Sequence, residues 1–208
     1  VADTGDINTI KIFNPQDATT NPSLILKASK QKDYQALIAE AIKWAKDQGG
    51  KQHDILQHSI QRLVVIFGRE ILTQIPGRVS IELDARLSFD VTASVNLAKR
   101  YIQMCHEFGL SNDRILIKLA ATWEGFLAAK ILEAEGIHCN LTLIFSFWQA
   151  IAAAQVANTT LISPFVGRIL DFQQLNEKRL CIPVGEDKGV LSVKVIYHYY
   201  KKFGYKTQ

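Results

Sequence analysis

Lys118 lies in the run Ile115-Leu-Ile-Lys-Leu-Ala120, where every neighbour is apolar. Burying a charged ammonium there is costly, so burial would lower the pKa of the amine. A neutral amine is what carbinolamine and imine formation require. Taken alone, Lys118 reads more naturally as a strand-end lysine whose head snorkels to solvent. Glu82 occupies a similar run, Val79-Ser-Ile-Glu-Leu-Asp84. It reads equally as a proton shuttle or as the ion-pair partner of Arg78 or Arg86. Asp3, in Asp3-Thr-Gly-Asp6, is a candidate general base, although Asp and Gly are also ordinary turn formers.

Other polar groups have equally plain readings. Asn21 precedes Pro22 and a helical stretch, as a helix cap would. Asn140 and Thr142 fit a buried hydrogen-bonding pair in a strand. Ser163 and Arg168 flank Pro164-Phe-Val-Gly167; the guanidinium fork of Arg168 suits a phosphate, and its default is a surface arginine. The five histidines and three cysteines (Cys105, Cys139 and Cys181) fall in no metal-ligand or disulfide spacing. A metal is therefore not expected, and the cysteine usage fits a reducing compartment.

The elements that would carry these residues alternate between short β-like and longer helical runs. Expected strands are 1–3, 17–20, 78–83, 114–119, 138–144 and 160–166. Helical spacing of apolar residues predicts helices over 23–47, 55–75, 91–108, 123–135 and 147–158, and a last one over 190–203. Gly49, Gly109, Gly136 and Gly204 stand where left-handed C-terminal caps belong. Residues 171–189 read as a long irregular connection. Strand, helix, strand in this rhythm predicts parallel pairing through right-handed crossovers.

In an open sheet covered on both faces, central strands are apolar throughout. Here Ser80, Glu82 and Asp84 alternate with Val79, Ile81 and Leu83, and Lys118 lies opposite Ile115, Ile117 and Leu119. Asn140, Thr142 and Ser163 alternate in the same way. Polar groups at successive strand ends point to a barrel interior, with chemistry at the C-terminal ends of the strands. The expected fold class is α/β, with a parallel barrel favoured over an open sheet.

Composition narrows the partners. At 208 residues, 48% hydrophobic and 21% charged, the chain matches one folded soluble domain. A net charge of +4 without basic clusters argues against a nucleic-acid or membrane partner and favours a small anionic ligand. No apolar stretch is long enough to span a bilayer, and there is no secretory leader, so a cytoplasmic location is expected.

Six segments in chain order resemble transaldolases of the long, classical bacterial and eukaryotic type. They are Val1-Ala-Asp-Thr-Gly-Asp6, Asp17-Ala-Thr-Thr-Asn-Pro-Ser-Leu24, Ile81-Glu-Leu-Asp-Ala-Arg-Leu-Ser88, Arg114-Ile-Leu-Ile-Lys-Leu-Ala120, Asn140-Leu-Thr-Leu143 and Leu161-Ile-Ser-Pro-Phe-Val-Gly-Arg168. The resemblance continues through Glu186-Asp-Lys-Gly-Val190 and Tyr197-His-Tyr-Tyr-Lys201. It implies a (β/α)8 barrel enzyme of the pentose phosphate pathway, needing no cofactor. The enzyme would move a dihydroxyacetone unit from sedoheptulose 7-phosphate or fructose 6-phosphate to an aldose phosphate.

The resemblance also implies roles for individual residues. Lys118 forms the Schiff base. Asp3 takes the proton of the donor C4 hydroxyl. Glu82 acts as acid and base through a water held with Thr142. Asn21, Asn140 and Ser163 hold the dihydroxyacetone hydroxyls, and Arg168 binds a phosphate.

Two local departures stand out. Ala121 replaces a serine common after Lys-Leu-Ala, and Gln155–Thr160 runs one residue longer than usual, which would displace Ser163 if nothing absorbed it. The resemblance further implies that residues 1–208 form one barrel domain with about six of eight βα units. That domain is incomplete at the C-terminus, where the last third would supply two strands and a second phosphate-binding arginine, and at the N-terminus. Two alternatives stay open: a Schiff-base aldolase that releases free dihydroxyacetone, and a non-catalytic, truncated barrel-derived binding or scaffold chain. Oligomeric state is open as well, with a homodimer among the options.

Overall fold

The computed structural model describes residues 1–208. Six strands are present: β1 (Ala2–Asp3), β2 (Ala18–Thr19), β3 (Val79–Glu82), β4 (Ile115–Ala120), β5 (Cys139–Ile144) and β6 (Leu161–Pro164). The helices are α1 (Ile7–Phe13), α2 (Pro22–Ser29), α3 (Gln35–Asp47), α4 (Gln52–Leu72), α5 (Val91–Glu107), α6 (Trp123–Ala134), α7 (Phe147–Ala152), α8 (Val166–Glu177) and α9 (Lys188–Phe203). The strands run through the sheet in chain order, β1 to β6, and a helix follows each one. This is the repeat expected of six βα units of the (β/α)8 class. No helix is long and apolar enough to cross a membrane.

Contacts divide the chain into two units, Val1–Asp84 with Asn96–Ile117, and Ala85–Val95 with Lys118–Gln208. In the first unit β1 pairs with β2 and β2 with β3, both parallel. Helix α4 presses closely onto β3 because Gly68 has no side chain: a Cβ there would meet Ile81 Cδ1 at 2.7 Å. The core of this unit includes Phe67, Ile71, Val79, Ile81 and Ile115, all fully buried. Polar clamps secure the N-terminal ends of its strands. Arg78 N donates to Asp17 Oδ1 at 2.6 Å. Arg114, just before β4, donates to the carbonyls of Gly77, Leu72 and Ile75. These fill the orphan acceptors at the end of α4 and in the turn beyond it.

In the second unit β5 pairs with β6 in parallel. Its clamp is Glu133, whose carboxylate accepts from Cys139 N at 2.9 Å, Thr160 N at 2.6 Å and Thr160 Oγ1 at 3.0 Å. One largely buried carboxylate thus ties the entries of β5 and β6. Gly125 lets α6 return against the end of β4, since a Cβ would lie 2.0 Å from Ala120 O.

Several expectations change in the structure. The single helix foreseen over residues 23–47 is broken: α2 ends at Ser29, a 3-10 turn spans Lys32–Tyr34, and α3 begins at Gln35. The run Ser29-Lys-Gln-Lys-Asp33 holds no apolar residue to continue a buried stripe. Instead Tyr34 turns inward, accepting from Ile7 N at 2.9 Å and donating to Asp6 at 3.0 Å. The connection expected over 171–189 is helical as far as Glu177. Helix α8 keeps Phe172 and Leu175 exposed, so its apolar residues form no inward stripe to betray it. Helix α1, seven residues long, is too short for periodicity to register. The glycine caps are as expected: Gly49, Gly109, Gly136 and Gly204 all have φ between 71° and 75°.

Candidate active site

The site residues of the second unit come from three neighbouring strand ends. Ala121 N donates to Thr142 O at 2.8 Å, which in a parallel ladder sets Ala120 beside Thr142 and Lys118 beside Asn140. The β5–β6 register aligns Thr142 with Ser163. Because side chains alternate along a strand, Lys118, Asn140, Thr142 and Ser163 emerge on one face. Lys118 is 5% exposed, Asn140 1% and Thr142 2%, so the solvent-snorkelling alternative for the lysine does not hold. Ser163 Oγ donates to Asn140 Oδ1 at 2.9 Å, fixing the carboxamide.

Thr142 Oγ1 differs from its neighbours. It is buried and has no hydrogen-bond partner in the protein. Leaving a buried hydroxyl unpaired costs about 1–3 kcal/mol. A position of that kind accepts a water or a ligand hydroxyl readily.

The backbone beside it is strained. Register shifts between Thr142 and Ile144, making Leu143 the extra residue of a β-bulge, with φ of 62°. A left-handed conformation costs a residue with a Cβ about 1–2 kcal/mol, and bulges are a recurrent way of re-aiming a side chain next to a site.

Helix α7 widens into a π-helical turn over Ala153–Ala157, closed by Asn158 in a left-handed conformation. The register that follows sets Ser163 beside Thr142. Arg168 stands in the first turn of α8 with its side chain 75% exposed, 3.9 Å from Asp171. An exposed pair at that distance is worth no more than about 1 kcal/mol, so it does not tie up the guanidinium.

In the first unit, Asp3 aligns with Thr19 and Thr19 with Ser80. Glu82 lies two residues beyond Ser80 in β3, hence on the same face as that row; Asn21 follows β2 as the N-cap of α2. Asp3 is exposed; Asn21 and Glu82 are half-buried. Asn21 does cap a helix: its Oδ1 accepts from Leu24 N at 2.9 Å. The cap uses the oxygen, and the amide nitrogen is the end suited to donating to a hydroxyl.

Two residues with site-like environments escaped the sequence reading. Thr19 Oγ1 is buried and unpartnered like Thr142 Oγ1; its signal was the two-residue step to Asn21. Gln149, on α7, bonds to the loops after both β4 and β5. Nothing in the sequence marks it, because it reads as a capping-box glutamine.

A cavity of about 570 Å³ lies between β6 and α9, lined by Ile162, Pro164, Tyr197 and Tyr200 among others. It is on the opposite face of β6 from Ser163 and holds none of the candidate groups.

The thiols are not built for chemistry. Burial pushes Cys105 up to about 12, and burial with the Glu133 carboxylate raises Cys139 well above the usual thiol range; Cys181 is exposed. At pH 8 a thiol of pKa near 12 is ionised in only about 1 part in 10⁴. A thiol-disulfide reagent at pH 8 is therefore expected to label Cys181 alone in the folded protein and all three cysteines in denaturant. Rapid labelling of two or more without denaturant would contradict these environments.

A model of the Transaldolase/Fructose-6-phosphate aldolase family matches residues 1–208. The hamster Cricetulus griseus transaldolase is 59% identical over 208 residues. The human enzyme is 57% identical over 208 residues, and that of Yersinia pseudotuberculosis 56% over 207. All of the chain is covered in each case, against 61% of the hamster and human proteins and 65% of the bacterial one. The chain thus spans less than two thirds of the length of these relatives. With six βα units in barrel order and a family match along its entire length, the chain belongs to the transaldolase/fructose-6-phosphate aldolase family.

Proposed function

We propose that the protein acts as a transaldolase on sugar phosphates in the cytoplasm, moving a dihydroxyacetone unit between them through a Schiff base at Lys118. The observation that carries this reading is the buried face of the second unit. An apolar-flanked lysine shares it with a fixed Asn140–Ser163 pair and an unpartnered Thr142 hydroxyl.

In this mechanism the Lys118 amine adds to the ketose C2 carbonyl and, with one proton delivered through Glu82, water leaves to give a protonated imine. The C3–C4 bond then breaks, and its electron pair flows to the imine nitrogen to form an enamine. Asp3 takes the C4 hydroxyl proton as the aldehyde departs. With an acceptor aldehyde the steps reverse: enamine C3 attacks the carbonyl carbon and Asp3 returns the proton. Water then hydrolyses the imine. Glu82 carries protons in the imine steps through a water held by Thr142. Asn140, Ser163 and the Asn21 amide hold the hydroxyls of the three-carbon unit, and the exposed Arg168 guanidinium receives a phosphate.

Transfer rather than release follows if water is kept from the enamine until an acceptor arrives. In the full polypeptide carrying this sequence, fructose 6-phosphate with erythrose 4-phosphate is expected to yield sedoheptulose 7-phosphate and glyceraldehyde 3-phosphate. Without the acceptor, free dihydroxyacetone should stay near background. Equal release with and without acceptor would replace transfer by simple aldol cleavage. Absence of turnover under both conditions would remove the catalytic reading.

A further inference from the structure

Gln149 sits at the third position of α7, and every hydrogen-bonding group of its carboxamide is used. Nε2 donates to Ala121 O at 3.0 Å and to Leu143 O at 3.1 Å. Oε1 accepts from Phe145 N at 2.9 Å, Ser146 N at 3.1 Å and Ser146 Oγ at 3.3 Å. An ordinary capping box needs only the bond to the cap residue's N–H. The other contacts reach two loops outside the helix.

Both loops bear on the candidate site. Ala121 lies three residues beyond Lys118, and its N–H already holds Thr142 O at 2.8 Å. Leu143 is the bulged, left-handed residue directly after Thr142. The side chain of Gln149 therefore closes a ring that runs from the end of β4 through Thr142 and Leu143 and back. The Nε2 donor holds the Leu143 carbonyl while that residue keeps its left-handed φ of 62°. Relaxing that residue toward ordinary strand geometry would rotate the peptide next to Thr142 and redirect its hydroxyl.

We propose that Gln149 is a positioning residue, which locks the Leu143 bulge so that the Thr142 hydroxyl is aimed for the imine steps at Lys118. The proposal rests on the Schiff-base reading above. It requires that the effect of Gln149 on rate pass through Thr142, which a merely structural glutamine would not do.

The test is a double-mutant cycle in the full polypeptide with Gln149→Leu, Thr142→Val and both together, reading kcat and KM for the donor. Leu removes donors and acceptor alike; Gln149→Glu, run in parallel, keeps the acceptor for Phe145 and Ser146 and turns a carboxylate oxygen toward the two carbonyls in place of the donors. With either variant, kcat is expected to fall at least about tenfold with donor KM within about twofold, as loss of a supporting bond to a reacting group does. In the Thr142→Val background the same change should cost less than about twofold, because coupled residues are not additive. Equal losses in both backgrounds, or wild-type kcat with only a lowered melting temperature, would overturn the proposal. Borohydride trapping of a three-carbon adduct at Lys118 in the wild-type protein is the control. Its failure would sink the Schiff-base reading itself, whereas adduct formation with additive losses sinks only the role of Gln149.

Discussion

Replacing Lys118 with Met is expected to abolish the borohydride-stabilised adduct formed with fructose 6-phosphate and to lower turnover at least about 10⁴-fold. The size of the effect follows from the proposed chemistry. Once the C3–C4 bond breaks, the electron pair needs the imine as its sink, and no neighbouring group on this face of the second unit can replace an amine. Folding should survive the change, because residue 118 is 5% exposed, and Met has similar length and no charge to desolvate. Peptide mapping of the wild-type adduct, with a melting curve for the variant, checks both halves. An adduct of undiminished yield in Lys118→Met would place the Schiff base elsewhere.

The second large effect is expected at Glu82. Glu82→Gln keeps size and removes proton transfer, and general acid–base groups contribute about 10²–10⁴ in rate. The loss should appear in the imine-forming and imine-hydrolysing steps, so single-turnover trapping of the Lys118 adduct should slow together with kcat. Thr142→Val supplies the companion measurement. Thr142 Oγ1 has no protein partner to lose, so exchange for a methyl group should leave stability unchanged or slightly raised. Under the proposed mechanism activity should nonetheless fall, because the water proposed to carry protons for Glu82 would lose its anchor. If Glu82→Gln traps adduct at the wild-type rate, its carboxylate is structural, in keeping with the ion-pair alternative.

Much of this was legible without coordinates. The period-two alternation of Ser80 and Glu82 with Val79 and Ile81, and of Lys118 with Ile115 and Ile117, assigned polar groups to one face of each strand; the registers of β1 with β2, β2 with β3 and β5 with β6 agree with it. All six strands were anticipated to within about three residues, the usual boundary uncertainty. The misses have specific causes. Helix α8 leaves Val166, Phe172 and Leu175 exposed and Ile169 and Leu170 only half-buried, so periodicity had no buried stripe to detect. Tyr34 breaks the stretch from α2 to α3 through hydrogen bonds to residues 27 and 28 positions away, and local pattern carries no trace of such distant partners.

The same limit separates the two halves of the candidate site. Residue type and alternation by themselves determined which side chains could do chemistry and which way they face, because strand geometry repeats every two residues and burial selects the apolar set. Only the tertiary structure decided what each side chain meets. It placed Lys118 out of solvent, left the Thr142 and Thr19 hydroxyls without partners, and set Ser163 beside Thr142. It also turned a capping glutamine, Gln149, into a brace across two strand ends. Those outcomes depend on hydrogen bonds between residues far apart in the chain, and the energy of such bonds is set by three-dimensional packing rather than by local order.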